Sequence, residues 1–146
     1  NGMLVIRAGK DGSYAYSKSG KIWLPAYHQP SASGATPVVD PTGAGNSFLG
    51  ALSQGMVTAG REPFQVIGSV LSNSETWKAL ESWGNYKHYP MALICATVAA
   101  GFVVEQIGVP QIDIDGNGKE LWNRTEFTER VRLYTQRLSR TSEESL

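Results

Sequence analysis

A chain of 146 residues, 41% of them hydrophobic, can bury one core of ordinary size, so these residues form one domain or part of one. Thirteen basic and thirteen acidic side chains cancel, which removes the electrostatic argument for nucleic acid or an anionic membrane surface as a partner. A lone cysteine, Cys95, excludes a disulfide scaffold, and no apolar stretch approaches the roughly 20 residues needed to span a bilayer.

Met3 to Arg7 is a short apolar run that stops at Gly9-Lys10-Asp11-Gly12, a turn signal, and predicts a first strand. Ser13 to Ser17 and Lys21 to Leu24 flank Lys18-Ser19-Gly20 and read as a hairpin. Pro30 to Pro37, rich in Ser, Ala and Gly, predicts a loop that leads into a short strand at Val38-Val39. From Gly45 the period turns helical: Phe48, Leu49, Leu52 and Met56 recur at spacings of three and four, and Gly60 lies near the expected end. Phe64 to Leu71 and Glu75 to Trp83 predict two further helices, separated by Ser72-Asn73-Ser74, whose side chains favour caps and turns. Pro90 to Gln106 is mostly apolar with small residues, among them Ala92, Ala96, Ala99, Ala100 and Gly101, so that helix can approach a neighbour or a flat ligand closely. Phe127, Val131, Tyr134 and Leu138 share one face of a last helix, and the polar tail 140–146 is expected to fray. No signal peptide is visible at Asn1-Gly2-Met3, so the chain reads as soluble and cytoplasmic, and its start on a strand reads as if an upstream portion were missing.

The stretch Asp40-Pro41-Thr42-Gly43-Ala44-Gly45-Asn46 carries the chemistry. A strand that ends at Asp40 and turns through small residues into a helix leaves the first backbone N–H groups of that helix unpaired. Glycine lets a ligand approach the backbone without a Cβ in the way, and the positive end of the helix dipole favours an anion, phosphate above all. The plain alternative is a tight turn with Ser47 or Asn46 capping the helix. No lysine follows the glycines as in a P-loop, and the third glycine of a dinucleotide fingerprint is absent.

DPTGAGNSFLGAL, residues 40–52, resembles the C-terminal signature of the ribokinase/PfkB carbohydrate kinases, whose usual form is D-T-x-G-A-G-D-x-F-x-G-x. Val5-Ile6-Arg7-Ala8-Gly9-Lys10-Asp11-Gly12 looks like that family's strand ending in T-x-G-x-x-G, and Cys95 to Gly101 followed by Gly108 is similar to the alanine-rich helix and glycine loop that wall its adenine pocket. GAGN in place of GAGD resembles a fungal PfkB-like branch. The resemblance implies a ribokinase-like three-layer α/β/α fold, with residues 1–139 as its C-terminal, nucleotide-binding portion and the N-terminal half of the same domain as a missing partner. It implies an ATP-dependent sugar kinase: Gly43, Ala44, Gly45 and the Asn46 N–H as the anion hole, Gly9, Gly12, Ala96, Ala99, Ala100 and Gly108 against ATP with Mg²⁺, and Asp40 and Thr42 holding a monovalent cation such as K⁺. A small sugar-like alcohol is the implied acceptor.

Asn46 stands where that family carries its catalytic aspartate, and an amide orients a hydroxyl but does not accept its proton. Loss of a general base costs about 10²–10⁴-fold, so the alternative expectation is a nucleotide-binding pseudokinase. Arg7, in place of the usual threonine, either meets phosphate or is solvated. Asp113-Ile114-Asp115-Gly116-Asn117-Gly118 matches half of an EF-hand loop, but Arg124 stands where the bidentate glutamate belongs, so a polar turn is expected. His28 and His88 have no ligand-spaced partners and read as ordinary residues, and Cys95 reads as packing. Trp77, Trp83, Tyr86 and Tyr89 read as a small satellite core.

Overall fold

A computed structural model describes residues 2–58 and 60–141. Three short strands, β1 (Leu4–Arg7), β2 (Ser13–Tyr16) and β3 (Lys21–Leu24), form an antiparallel meander in that order. The register pairs Val5 with Ala15 and Ala15 with Ile22, so alternation sends these residues, with Leu24, to one face. Ala15, Ile22 and Leu24 are buried there, while Leu4, Ile6, Tyr16 and Trp23 on the other face are each more than half exposed.

Among the described residues, five α-helices follow: α1 (Ala44–Val57), α2 (Glu62–Leu71), α3 (Glu75–Glu81), α4 (His88–Val103) and α5 (Phe127–Thr141). Between α4 and α5 lies a small antiparallel hairpin, β4 (Ile112–Ile114) and β5 (Glu120–Trp122). The molecule is therefore a mixed α/β protein. Helix α4 is apolar all round, as a helix with no solvent face must be, and every residue from Pro90 to Val98 is buried. Its small side chains let α1 come close: a Cβ added to Gly55 would lie 2.8 Å from the Ala92 Cβ. Helix α5 closes the core with Val131, Tyr134 and Leu138, and Tyr134 donates a 2.6 Å hydrogen bond to the Pro25 carbonyl after β3.

The described residues show the expected mixture of helices and strands but no parallel sheet of a three-layer α/β/α arrangement. Tight turns join β1 to β2 and β2 to β3, which makes both pairs antiparallel, whereas parallel layers need crossover helices between strands. Val38-Val39 is not a strand either; the Val39 and Asp40 N–H groups both donate to the Val104 carbonyl beyond α4. The Pro90–Gln106 helix begins two residues earlier and stops at Val103, where the Gln106 side chain donates to the Phe102 and Val103 carbonyls. The last helix runs to Thr141, past the start of the expected tail; residues 142–146 lie outside the described residues. Trp83 is a member of the main core, with Trp77, Tyr86 and Tyr89 packed against it, so the satellite core is part of the whole. Ser74 caps α3 by accepting from the Trp77 N–H, as its residue type predicts.

Candidate functional site

The glycine turn enters α1 through Gly43, which adopts the left-handed conformation at φ 85°. Asp40 builds the approach: its Oδ1 accepts the Thr42 N–H at 2.9 Å, and hydrogen bonding from Thr42 holds its carboxyl below the usual range. The Ala44 N–H goes to the Pro41 carbonyl and the Ser47 N–H to the Gly43 carbonyl. No side chain caps this end, so neither Ser47 nor Asn46 plays the capping part. Asn46 is exposed on the first turn.

Arg7 resolves the choice left by its sequence position. The end of β1 carries its guanidinium over this first turn, where a Cβ on Gly45 would fall 2.5 Å from Nη1, and 5.9 Å above the Phe48 ring. A cation held at the positive end of a helix is electrostatically unfavourable by itself. With an anion between them, the guanidinium and the helix N–H groups attract the same charge.

The other implied nucleotide residues are placed differently. Gly9 and Gly12 bound a tight 3-10 turn beside β1, with φ of 57° and 101°. A Cβ on Gly12 would collide with the Leu24 carbonyl at 2.1 Å, so that glycine is required by the protein's own backbone. Ala96 is fully buried in the core, and Ala99 and Ala100 are half-buried. A Cβ on Gly101 would fall 2.6 Å from the Tyr27 ring, which makes Tyr27 the flat group that the small face of α4 receives. Gly108 has φ 90° with open space around it. Thus β1, the glycine turn and Arg7 converge, whereas Ala96 lies in the core and Ala100 packs against it.

A second charged cluster closes the C-terminal end of α4. Glu105 takes a bidentate pair from Arg130, with Nη2 to Oε2 at 3.0 Å, and its Oε2 accepts from Asn123 at 2.9 Å. His28 Nε2 lies 3.0 Å from Glu105 Oε1 and 3.2 Å from the Gly101 carbonyl. Both neighbours are acceptors, so Nε2 carries the hydrogen. The Arg130 guanidinium stacks 3.8 Å from the Phe102 ring centre. Burial would raise the Glu105 carboxyl, but the hydrogen bonds from Arg130 and Asn123 outweigh it and leave the group below its ordinary value. His28 has no carboxylate partner at ligand spacing in the sequence because 77 residues separate it from Glu105.

Of the stretch Asp113 to Gly118, Asp113 and Ile114 belong to β4, and Asp115 to Gly118 form the polar turn that leads to β5. Asp115 Oδ1 already accepts the Asn117 and Lys119 N–H groups, which is the work of a turn. Cys95 is buried, and burial pushes its thiol up to about 12, as suits a packing residue. Among the described residues, no three His, Cys, Asp or Glu side chains converge to hold a metal, and no helix is long and apolar enough to cross a membrane.

The chain is similar to Protein MAK32 of Saccharomyces cerevisiae, strain ATCC 204508 / S288c, at 32% identity over 139 residues. That match takes in 92% of this chain and 29% of the yeast protein, so the chain spans less than a third of its relative's length. No family model matches the chain, and no solved structure matches it. The expected membership in the ribokinase/PfkB carbohydrate kinases is corrected accordingly: no family model supports it, and the likeness found is to MAK32.

Proposed function

We propose that the chain supplies the phosphate-binding part of a protein that uses ATP, with Gly43 to Asn46 and Arg7 gripping the phosphates. The observation that carries this reading is Arg7 lying over Gly45 at the uncapped start of α1. In phosphoryl transfer most of the catalysis is positioning and charge stabilisation, which backbone N–H groups and a guanidinium provide. Transfer to a sugar or related small alcohol is the reaction proposed for this site. Mg²⁺ would arrive on the phosphates, since it keeps most of its shell from water and substrate oxygens. Asp40, whose Oδ1 accepts the Thr42 N–H, is proposed to hold a monovalent cation such as K⁺ together with Thr42. The reading carries with it a cytoplasmic location.

Asn46 favours a second reading. It occupies the exposed first turn, where an acceptor hydroxyl would meet the transferring phosphate, and its amide takes no proton. Nucleotide binding without transfer follows if nothing else supplies the base. Calorimetric titration of the chain with MgATP tests both readings. Saturable binding that weakens about tenfold or more in Arg7→Gln is expected. A folded chain that takes up no MgATP overturns the proposal. Given binding, phosphorylation of a sugar that rises in Asn46→Asp marks a transfer site lacking its base, and no transfer by either chain leaves the binding reading.

A further inference from the structure

We propose that β1 is the seam of a symmetric dimer, in which a second copy of this chain lays its own β1 antiparallel against this one and the two sheets become continuous. The proposal rests on the sheet alone and needs nothing of the nucleotide site. The order β1-β2-β3 leaves β1 with a neighbour on one side only among the described residues. Alternate residues of such a strand turn their N–H and C=O groups away from the sheet, and another extended backbone is what matches that row of donors and acceptors.

Edge strands are commonly guarded by charge or proline, and the two edges of this sheet differ in that respect. β3 carries Lys21 and runs directly into Pro25. β1 reads Leu-Val-Ile-Arg, and its one charge is drawn away, since the Arg7 guanidinium lies against Gly45 and 5.9 Å from the Phe48 ring centre. The rest of the fold leaves β1 open on both faces: Leu4 is 60% and Ile6 53% exposed on the outer face, while Met3 and Val5 pack against the core and are only partly buried.

The occupant is a second copy because β1 is its own complement. With a two-fold axis at Val5, antiparallel pairing sets Val5 against Val5, Leu4 against Ile6 and Arg7 against Met3. Apolar and β-branched pairs of this kind stabilise neighbouring strands, and the two arginines fall at opposite ends of the seam. Parallel pairing in register would instead set arginine against arginine. A two-fold arrangement closes on itself, so association stops at two copies. The seam of four residues is about 13 Å long, short of the roughly 800 Å² per partner that a standard interface buries, so the dimer should come apart on dilution.

The test is sedimentation equilibrium of the full chain across a wide range of concentration. The mass is expected to rise from 15.8 kDa towards twice that value. Leu4→Lys and Ile6→Lys replace exposed side chains, so the fold should persist by circular dichroism while association weakens by about tenfold or more in each. Trp23→Lys, on the same outer face but on the far strand, should leave association unchanged. Val5→Cys, which the two-fold axis sets opposite itself at a Cβ separation of about 5 Å, should cross-link into a dimer under diamide, and Trp23→Cys should not. Cys95 is buried and adds no background. A mass that stays at 15.8 kDa at every concentration overturns the dimer. Association that survives in both Leu4→Lys and Ile6→Lys, or that Trp23→Lys abolishes, overturns the seam at β1. A dimer in which Val5→Cys does not cross-link overturns the two-fold axis at Val5.

Discussion

The C-terminal end of α4 and the N-terminal end of α1 both gather charge, and the protein completes the two in opposite ways. At the end of α4, Glu105 meets Arg130, Asn123 and His28, and each charge has its partner inside the fold. At the start of α1, a guanidinium faces a helix end of its own sign, with no capping side chain there. A saturated cluster of this kind is structural, because its groups have already met their complements. An end finished with a like charge has no such complement among the described residues, and the proposed phosphate would supply one. That contrast is what separates the proposed site from the closed cluster.

The largest expected effect comes from breaking the closed cluster. Glu105→Ala leaves the Arg130 guanidinium, one of the buried charged groups, without its carboxylate, and should cost about 3 kcal/mol in denaturant unfolding. Glu105→Gln keeps hydrogen bonds to Asn123 and Arg130 without the charge and should lose less. Equal losses in the two variants would show that packing against Arg130, and not its charge, is what matters.

Acid should weaken the same cluster. The folded Glu105 carboxyl lies below its ordinary value of 4.5, so its contribution is complete above that value and is lost as pH falls through the folded one. Stability measured against pH should therefore fall more steeply below about pH 4.5 in the parent chain than in Glu105→Gln. Parallel curves would remove Glu105 from the account of acid sensitivity. Smaller again is Tyr134→Phe, which deletes the 2.6 Å hydrogen bond to the Pro25 carbonyl and should cost about 1 kcal/mol in thermal or denaturant unfolding.

How much of this was legible in the sequence follows from the range of each interaction. The period of Phe48, Leu52 and the later apolar residues of α1, the cap at Ser74 and the hairpin around Lys18-Ser19-Gly20 are local, and local residue chemistry predicts them. The glycine turn is legible for the same reason, since a strained entry into a helix needs Gly43 within one or two residues. Arg7 over Gly45 and His28 against Glu105 are pairings across tens of residues, and nothing in a single sequence reports them. The alanines of α4 were legible as small but not as to what they receive. Ala92 receives Gly55 of α1 and Gly101 receives the ring of Tyr27, so smallness there reflects the protein's own packing. Of the β4–β5 hairpin only the turn was legible in the sequence, because three-residue strands leave no periodic signature.

The smallest change in stability gives the sharpest test of the contrast between the two ends. At Gly45 an added Cβ meets the tip of a flexible arginine, which can swing aside, and the position is helical, where alanine is favoured over glycine. Gly45→Ala should therefore leave the chain as stable as before or raise its stability by about 0.5 kcal/mol in denaturant unfolding. The same change pushes the Arg7 guanidinium off the first turn and covers the backbone approach, so MgATP should bind more weakly by calorimetry even as the fold improves. Stability and binding that move in opposite directions identify a glycine kept for a ligand. If both fall together, Gly45 is a packing glycine like Gly12 and Gly101, and the start of α1 joins the end of α4 as structure.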